Sequence, residues 1–210
     1  MYLPAKFHCQ NTREIRSLME SYPLATVITV VDQTPFISHL PMVVETDANQ
    51  NLVLNGHMSK ANPHSRHIHL SETTLIFHGP NAYITPKWYE QNDVPTWNYA
   101  VVHCKGVTKL VVDANGIQNC LRKLTEAAEK NSLDPWDFWL PDDLSDPKDL
   151  TSAILGFEVS ISEMTAKFKL SQNRSSADRK GVIAGLRSRT DDNSKAIQNL
   201  IKAAEGLKKE

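Results

Sequence analysis

The run Leu-Ala-Thr-Val-Ile-Thr-Val-Val at residues 24–31 limits most strongly what this chain can become. Six of its eight residues are β-branched, which stiffens χ1 and favours a pleated strand over a helix. Asp32-Gln33-Thr34-Pro35 reads as a turn, and residues 36–45 return with partial alternation. After the polar loop 47–50, residues 51–56 supply a third strand, so the opening is expected to be a meander with short connections. Residues 73–78 read as a buried strand that Gly79-Pro80 breaks, with 81–85 as a second short strand before Pro86. Residues 98–113 form a long β-rich stretch bent near Gly106, and 154–161 and 164–170 make two more strands.

Helices are fewer and lie around this framework. Residues 11–21 place Ile15, Leu18 and Met19 on one face, with Asn11 or Thr12 as N-cap and Pro23 as the stop. Residues 115–131 carry Ile117, Cys120, Leu121, Leu124, Ala127 and Ala128 as one apolar stripe. Trp136, Phe138 and Trp139 fall in a Pro/Asp-rich loop that ends in a short helix over 148–153. The last 35 residues read as two helices, the second amphipathic through Ile197, Leu200, Ile201, Ala204 and Leu207. Six or seven strands with helices between and after them indicate a mainly β (α+β) chain. The expected architecture is a small, mostly antiparallel barrel with C-terminal helices. The expected division is a barrel domain over 1–170 and a helical extension over 171–210.

Charge and motifs exclude several classes. With 23 basic and 24 acidic residues, nothing draws the chain in bulk to nucleic acid, although a local basic patch remains open. No run approaches the ~20 apolar residues of a membrane span, and Met1-Tyr2-Leu3-Pro4-Ala5-Lys6 lacks the order of a signal peptide. Cys9, Cys104 and Cys120 are scattered and odd in number, which suits reduced thiols in the cytoplasm. Neither GxGxxG nor GxxxxGK[ST] occurs.

Four stretches have residue types that suit a ligand. Gly56-His57-Met58-Ser59-Lys60-Ala61-Asn62-Pro63 leaves a strand and offers a cation, a hydroxyl and a helix start, as a phosphate monoester requires. The same residues also suit a polar loop with a helix cap. His57, His64, His67 and His69 invite a metal, yet no Cys or carboxylate pattern completes a zinc site, and none is expected. Tyr83, Trp88 and Tyr89, then Thr96, Trp97, Asn98 and Tyr99, place aromatics among prolines and polar groups. They could pack on a barrel mouth, or form a flat apolar wall edged by donors. Lys167, Lys169, Gln172 and Arg174 could close over an anion, or simply be a solvated strand end before a cap at Ser175.

In this order the segments resemble the PaiB-type family of FMN-binding negative transcriptional regulators. The resemblance rests on Met1-Tyr2-Leu3-Pro4 with Phe7, His39-Leu40-Pro41, Gly56-His57 with Asn62-Pro63, and Phe77-His78-Gly79-Pro80 with Tyr83-Ile84, Pro86 and Trp88-Tyr89. It continues through Val94-Pro95-Thr96-Trp97-Asn98-Tyr99 and Lys169-Leu170-Ser171-Gln172-Asn173-Arg174, and reaches to about residue 190. One departure is His64, where an aromatic is expected after Asn-Pro. The resemblance implies an FMN-binding split barrel that homodimerises, with FMN in a cleft at the subunit interface. By motif position the cofactor contacts would be His57, Ser59, Lys60, Asn62, Thr96, Trp97, Asn98, Lys169, Gln172 and Arg174. Negative control of transcription is then the expected role, with an FMN-dependent oxidoreductase as alternative and a heme-binding or heme-degrading barrel as a further one. DNA binding finds little support: the best basic helix, 176–189, contains Gly181 and Gly185.

Overall fold

A computed structural model describes residues 1–91, 93–138 and 150–206. The β-branched run forms β2 (Leu24–Val31), following the two-residue strand β1 (His8–Cys9) and helix α1 (Thr12–Ser21). β2 pairs with β3 (Thr34–Pro41) in continuous antiparallel register from Leu24↔Pro41 to Val31↔Thr34. The turn is tighter than expected. Only Asp32 and Gln33 form it, both left-handed at φ 48° and 63°, the backbone sense that matches strand twist. Pro35 fits inside β3 because β3 ends the sheet order, where a missing N–H costs no ladder bond.

The middle strand of the expected meander is interrupted. Met42 separates β3 from β4 (Val43–Thr46), and β4 pairs with β5 (Leu52–Ser59). β6 (Thr73–Ile84) pairs with β2, giving the order β3-β2-β6-β7-β8-β5-β4. β6 runs unbroken through Gly79-Pro80. Gly79 is there for space and not for a turn: a Cβ would lie 2.7 Å from Leu18 Cδ1 and 2.9 Å from the Ala100 carbonyl. β7 spans Thr96–Val111. β8 (Ile154–Lys169) is one strand where two were expected. Its polar middle survives because Glu163 bridges Lys105 of β7 at 2.9 Å and Ser162 donates to the Lys105 carbonyl. β5 pairs with the first half of β8 and β1 with its end, at His8↔Lys167 and Cys9↔Ala166.

The chain divides into two compact units, to which β6, β7 and β8 each contribute. One comprises Met19–Phe77 and His103–Met164. Its core holds Val27, Leu54, Leu75 and Phe157, and α2 (Ala114–Glu129) buries Ile117 and Cys120. Asp113 caps α2 by accepting from the Gly116 N–H at 2.8 Å. The other unit comprises Met1–Leu18, His78–Val102 and Thr165–Glu210. Here Asn11 caps α1, its Oδ1 accepting from the Arg13 and Glu14 amides while its Nδ2 donates to Glu14. Helices α3 (Ser176–Arg187) and α4 (Asp192–Ala204) bury Val182, Leu186, Ile197 and Ile201. Trp139, Lys148 and Leu207 lie outside the described residues.

Gly181 and Gly185 are one turn apart on α3 and make room for Trp88, which ends the short helix Pro86–Trp88. A Cβ at Gly181 would meet the Trp88 main-chain carbonyl, and one at Gly185 would meet the indole ring. Arg189 stacks its guanidinium 4.7 Å from the ring centroid.

Candidate functional site

The first cluster follows the end of β5. Its path is set by Pro63, which opens a 3-10 helix over Pro63–Arg66, and by Asn62, whose Oδ1 accepts from the His64 N–H at 3.0 Å. Asn62 Nδ2 donates to Ser38 Oγ at 3.0 Å, so both ends of this side chain hold the loop in place. Ser59 Oγ accepts from the Ala61 amide at 3.2 Å and keeps its own proton to donate. Lys60 Nζ donates to the Ser152 carbonyl at 2.6 Å, which leaves two ammonium protons uncommitted. An exposed hydroxyl and an exposed ammonium on successive residues fit a phosphate. His57 is half-buried on β5; its Nδ1 is enclosed without a partner, and desolvation holds its pKa below the usual histidine value.

Behind this loop lies a buried polar chain that sequence reasoning missed. His64 is 2% exposed; Nδ1 meets Ser38 Oγ at 3.0 Å and Nε2 meets Thr29 Oγ1 at 3.1 Å. Thr29 meets Thr73 at 3.2 Å, Thr73 meets Thr108 at 2.8 Å, and Thr73 donates to the Ile68 carbonyl at 3.0 Å. These bonds have one consistent direction. Thr73 gives its proton to Ile68, so Thr29 donates to Thr73 and His64 Nε2–H donates to Thr29; Nδ1 then accepts from Ser38, which accepts from Asn62. The network therefore selects the neutral Nε2–H tautomer. His64 also stacks with Phe36 at 6.1 Å between ring centroids, and His67 stacks on the same ring at 3.7 Å. A histidine thus stands at the expected aromatic position because the ring both stacks and joins buried hydroxyls.

The second cluster lies in the other unit, where β7 begins and β8 ends. Lys169 Nζ donates to Thr96 Oγ1 at 2.5 Å. Burial lowers the Lys169 pKa; Tyr99 opposes that shift, while Lys167 and Arg174 add to it. Asn98 is fully buried, donates to Ser171 Oγ at 2.8 Å, and has an unpartnered Oδ1. Ser171 takes the left-handed φ of 63° that turns the chain out of β8. Gln172 folds back on its own strand, accepting from the Leu170 amide at 2.7 Å and donating to the Phe168 carbonyl at 2.5 Å. It also lines a cavity of about 490 Å³ with Leu170, Arg179, Ile201 and Glu205. Arg174 pairs with Asp93 and stacks on Tyr89 at 4.4 Å. Trp97 is 53% exposed and meets Tyr83 edge-on at 5.9 Å. The structure thus brings Thr96 and Lys169 together as open donors beside an aromatic wall. Asn98, Gln172 and Arg174 sit close by but are engaged in holding the strand end. Lys167 has no place among the expected contacts, although its i, i+2 spacing to Lys169 puts both on one face of β8.

No group of His, Cys, Asp and Glu able to hold a metal occurs among the described residues. The odd cysteines match inert thiols: burial pushes Cys104 up to about 12 and raises Cys120.

The sheet order and the unbroken strands are those of a split barrel. Two solved structures share the fold. The FAD and heme binding protein from Mycobacterium smegmatis aligns with TM-score 0.62 at 14% identity, over 85% of this chain and 80% of that one. The flavocytochrome Anf3 from Azotobacter vinelandii aligns with TM-score 0.60 at 16% identity, over 77% and 69%. Residues 1–163 match the family described as "Putative FMN-binding domain", and the chain belongs to that family, whose cofactor is FMN. A relative, the protease synthase and sporulation protein PAI 2 of Bacillus subtilis (strain 168), is 32% identical over 204 residues, covering 96% of each chain. The PaiB-type resemblance is thereby established.

Proposed function

We propose that the protein binds FMN with the phosphate on Ser59 and Lys60. FMN supplies electron-transfer chemistry when bound; the chain orients it and shields it. The observation that carries this reading is the uncommitted donor capacity of Ser59 and Lys60 on successive exposed residues. Lys60→Ala is expected to weaken FMN about tenfold, the value of one charge-assisted contact, and riboflavin by less than about twofold. Titration of tryptophan fluorescence with each flavin measures this. Equal losses for both flavins would remove the phosphate role.

The biological role we propose is negative transcriptional control of the PaiB type, exerted by a cytoplasmic homodimer. Support comes from the Bacillus subtilis relative, whose name ties it to protease synthesis and sporulation. The dimer reading is supported by the exposed apolar side chains Leu24, Val30 and Ile37 on the β2–β3 hairpin. Control through a partner suits the fold better than DNA reading by α3. Its glycines pack on Trp88, Arg179 is tied to Glu205 and the Arg174 carbonyl, and Arg189 to Trp88 and the Tyr83 carbonyl. Gel shift across a salt series tests this: binding by these arginines would fall steeply as salt rises. The oxidoreductase reading is favoured by one observation, the lysine pair on β8 that lacks a counter-ion among the described residues.

A further inference from the structure

Lys167 is 8% exposed, yet among the described residues no carboxylate pairs with it. Its ammonium donates to the Tyr2 carbonyl at 3.1 Å and lies 5.4 Å from the centroids of both the Tyr2 and Tyr99 rings. Lys169 projects from the same face of β8 and, among the described residues, donates to the Thr96 hydroxyl. Among the described residues, the one acid that bonds a cation of this strand end is Asp93, and it is taken by Arg174. Buried charges are ordinarily matched by an opposite charge, because partial dipoles do not repay desolvation in full. Two adjacent ammonium groups held by a carbonyl, a hydroxyl and ring faces are therefore short of an anion.

Tyr2 lies over the Lys167 ammonium. Tyr2 is 84% exposed, its carbonyl accepts from Lys167 and its ring faces the same ammonium. Lifting it breaks that hydrogen bond and that ring contact and bares the ammonium. On the same face of β7 as Tyr99 stands the exposed ring of Trp97, against Tyr83 of β6. A cation at the end of an aromatic wall matches a planar ring bearing an acid.

We propose that Lys167, flanked by Lys169, is a binding site for the carboxylate of a planar aromatic acid, with the ring against Tyr99 and Trp97, entered when the Tyr2 segment lifts. This goes beyond flavin binding and uses a lysine that the cofactor reading does not need. The probe is benzoate, titrated calorimetrically into the full protein, once stripped of flavin and once loaded with FMN, with inorganic phosphate at matched ionic strength as comparison. Benzoate is expected to bind at one site per chain and phosphate more weakly. Lys167→Met should weaken benzoate about tenfold, while Lys167→Arg recovers most of the loss and FMN and riboflavin affinities stay within about twofold. Should Lys167→Met fail to fold, Lys167→Gln keeps a donor for the Tyr2 carbonyl and removes only the charge. Absent benzoate binding, or equal binding by the neutral variants, overturns the site. Phosphate binding as tightly as benzoate overturns the aromatic-acid class. A loss of flavin affinity equal to the loss for benzoate overturns the separate ligand and gives Lys167 to the flavin. Because the stripped protein is titrated alone, failure to load FMN would be seen separately from failure to bind the acid.

Discussion

Gly181→Ala will lower the stability of this protein by roughly 2 kcal/mol, the usual cost of forcing atoms into an occupied space. The sign is what makes the result informative. In a helix interior glycine to alanine ordinarily adds about 1 kcal/mol through propensity and the unfolded chain. Here the new methyl meets the Trp88 carbonyl, and a main-chain atom cannot rotate away. Gly185→Ala should cost a similar ~2 kcal/mol, but the atoms it meets belong to the indole. The two sites therefore respond differently to Trp88→Leu. Removing the indole should erase most of the Gly185→Ala cost and leave the Gly181→Ala cost nearly intact, a coupling that a double-mutant cycle measures directly. Urea midpoints of the single and double variants decide it. If both glycine variants are more stable than the parent, α3 is not docked on Trp88 as described.

These glycines also show where sequence reading stops. From composition they simply weaken a helix, and 176–189 looks like a poor basic recognition element. The docking partner is some ninety residues earlier in the chain, so no local pattern reports it. Signals carried by neighbouring residues were legible: the β-branched run of β2, the Asn11 cap with Glu14 three residues on, the stripe of α2 and the Ser175 cap of α3. The junctions were not. Gly79-Pro80 suggests a break, yet β6 continues because Leu18 and the Ala100 carbonyl crowd the glycine. The polar middle of β8 suggests two strands, yet Lys105 on β7 satisfies it. Strand order is likewise non-local: β4 and β5 leave the opening hairpin to join β8.

The candidate site divides along the same line. Residue types point to Ser59, Lys60, Thr96 and Lys169, and the structure leaves these with donors to give. Asn62, Gln172 and Arg174 look equally suitable in sequence, but their polar ends are engaged by Ser38 and His64, by the backbone of β8, and by Asp93. Suitability of a side chain for a ligand is a local property; its availability depends on distant partners. The same reason hides the His64 network.

His64→Leu is expected to cost about 3 kcal/mol, since it leaves the buried Ser38 proton without an acceptor and takes from Thr29 its donor, at ~1–3 kcal/mol apiece. The wild-type network also makes stability depend on pH. Burial, reinforced by the charge of His67, holds the His64 pKa below its ordinary value of ~6.5. Below that value the unfolded chain takes up a proton that the folded ring refuses, so the unfolded state binds more protons and stability rises with pH. The contribution is complete above ~6.5 and is lost as pH falls from there toward the depressed folded value. His57 acts in the same direction through desolvation. Protonating His64 at Nδ1 turns Ser38 from donor to acceptor and strands its proton, so the bonds that select the tautomer also resist the charge. Urea midpoints at about pH 7.5 and about pH 5.5 bracket the window. The wild-type midpoint should drop on acidification, and His64→Leu, though less stable at both, should drop by less, the remainder belonging to His57. Parallel drops in both proteins would mean that His64 titrates normally and that the hydroxyl chain does not hold it neutral.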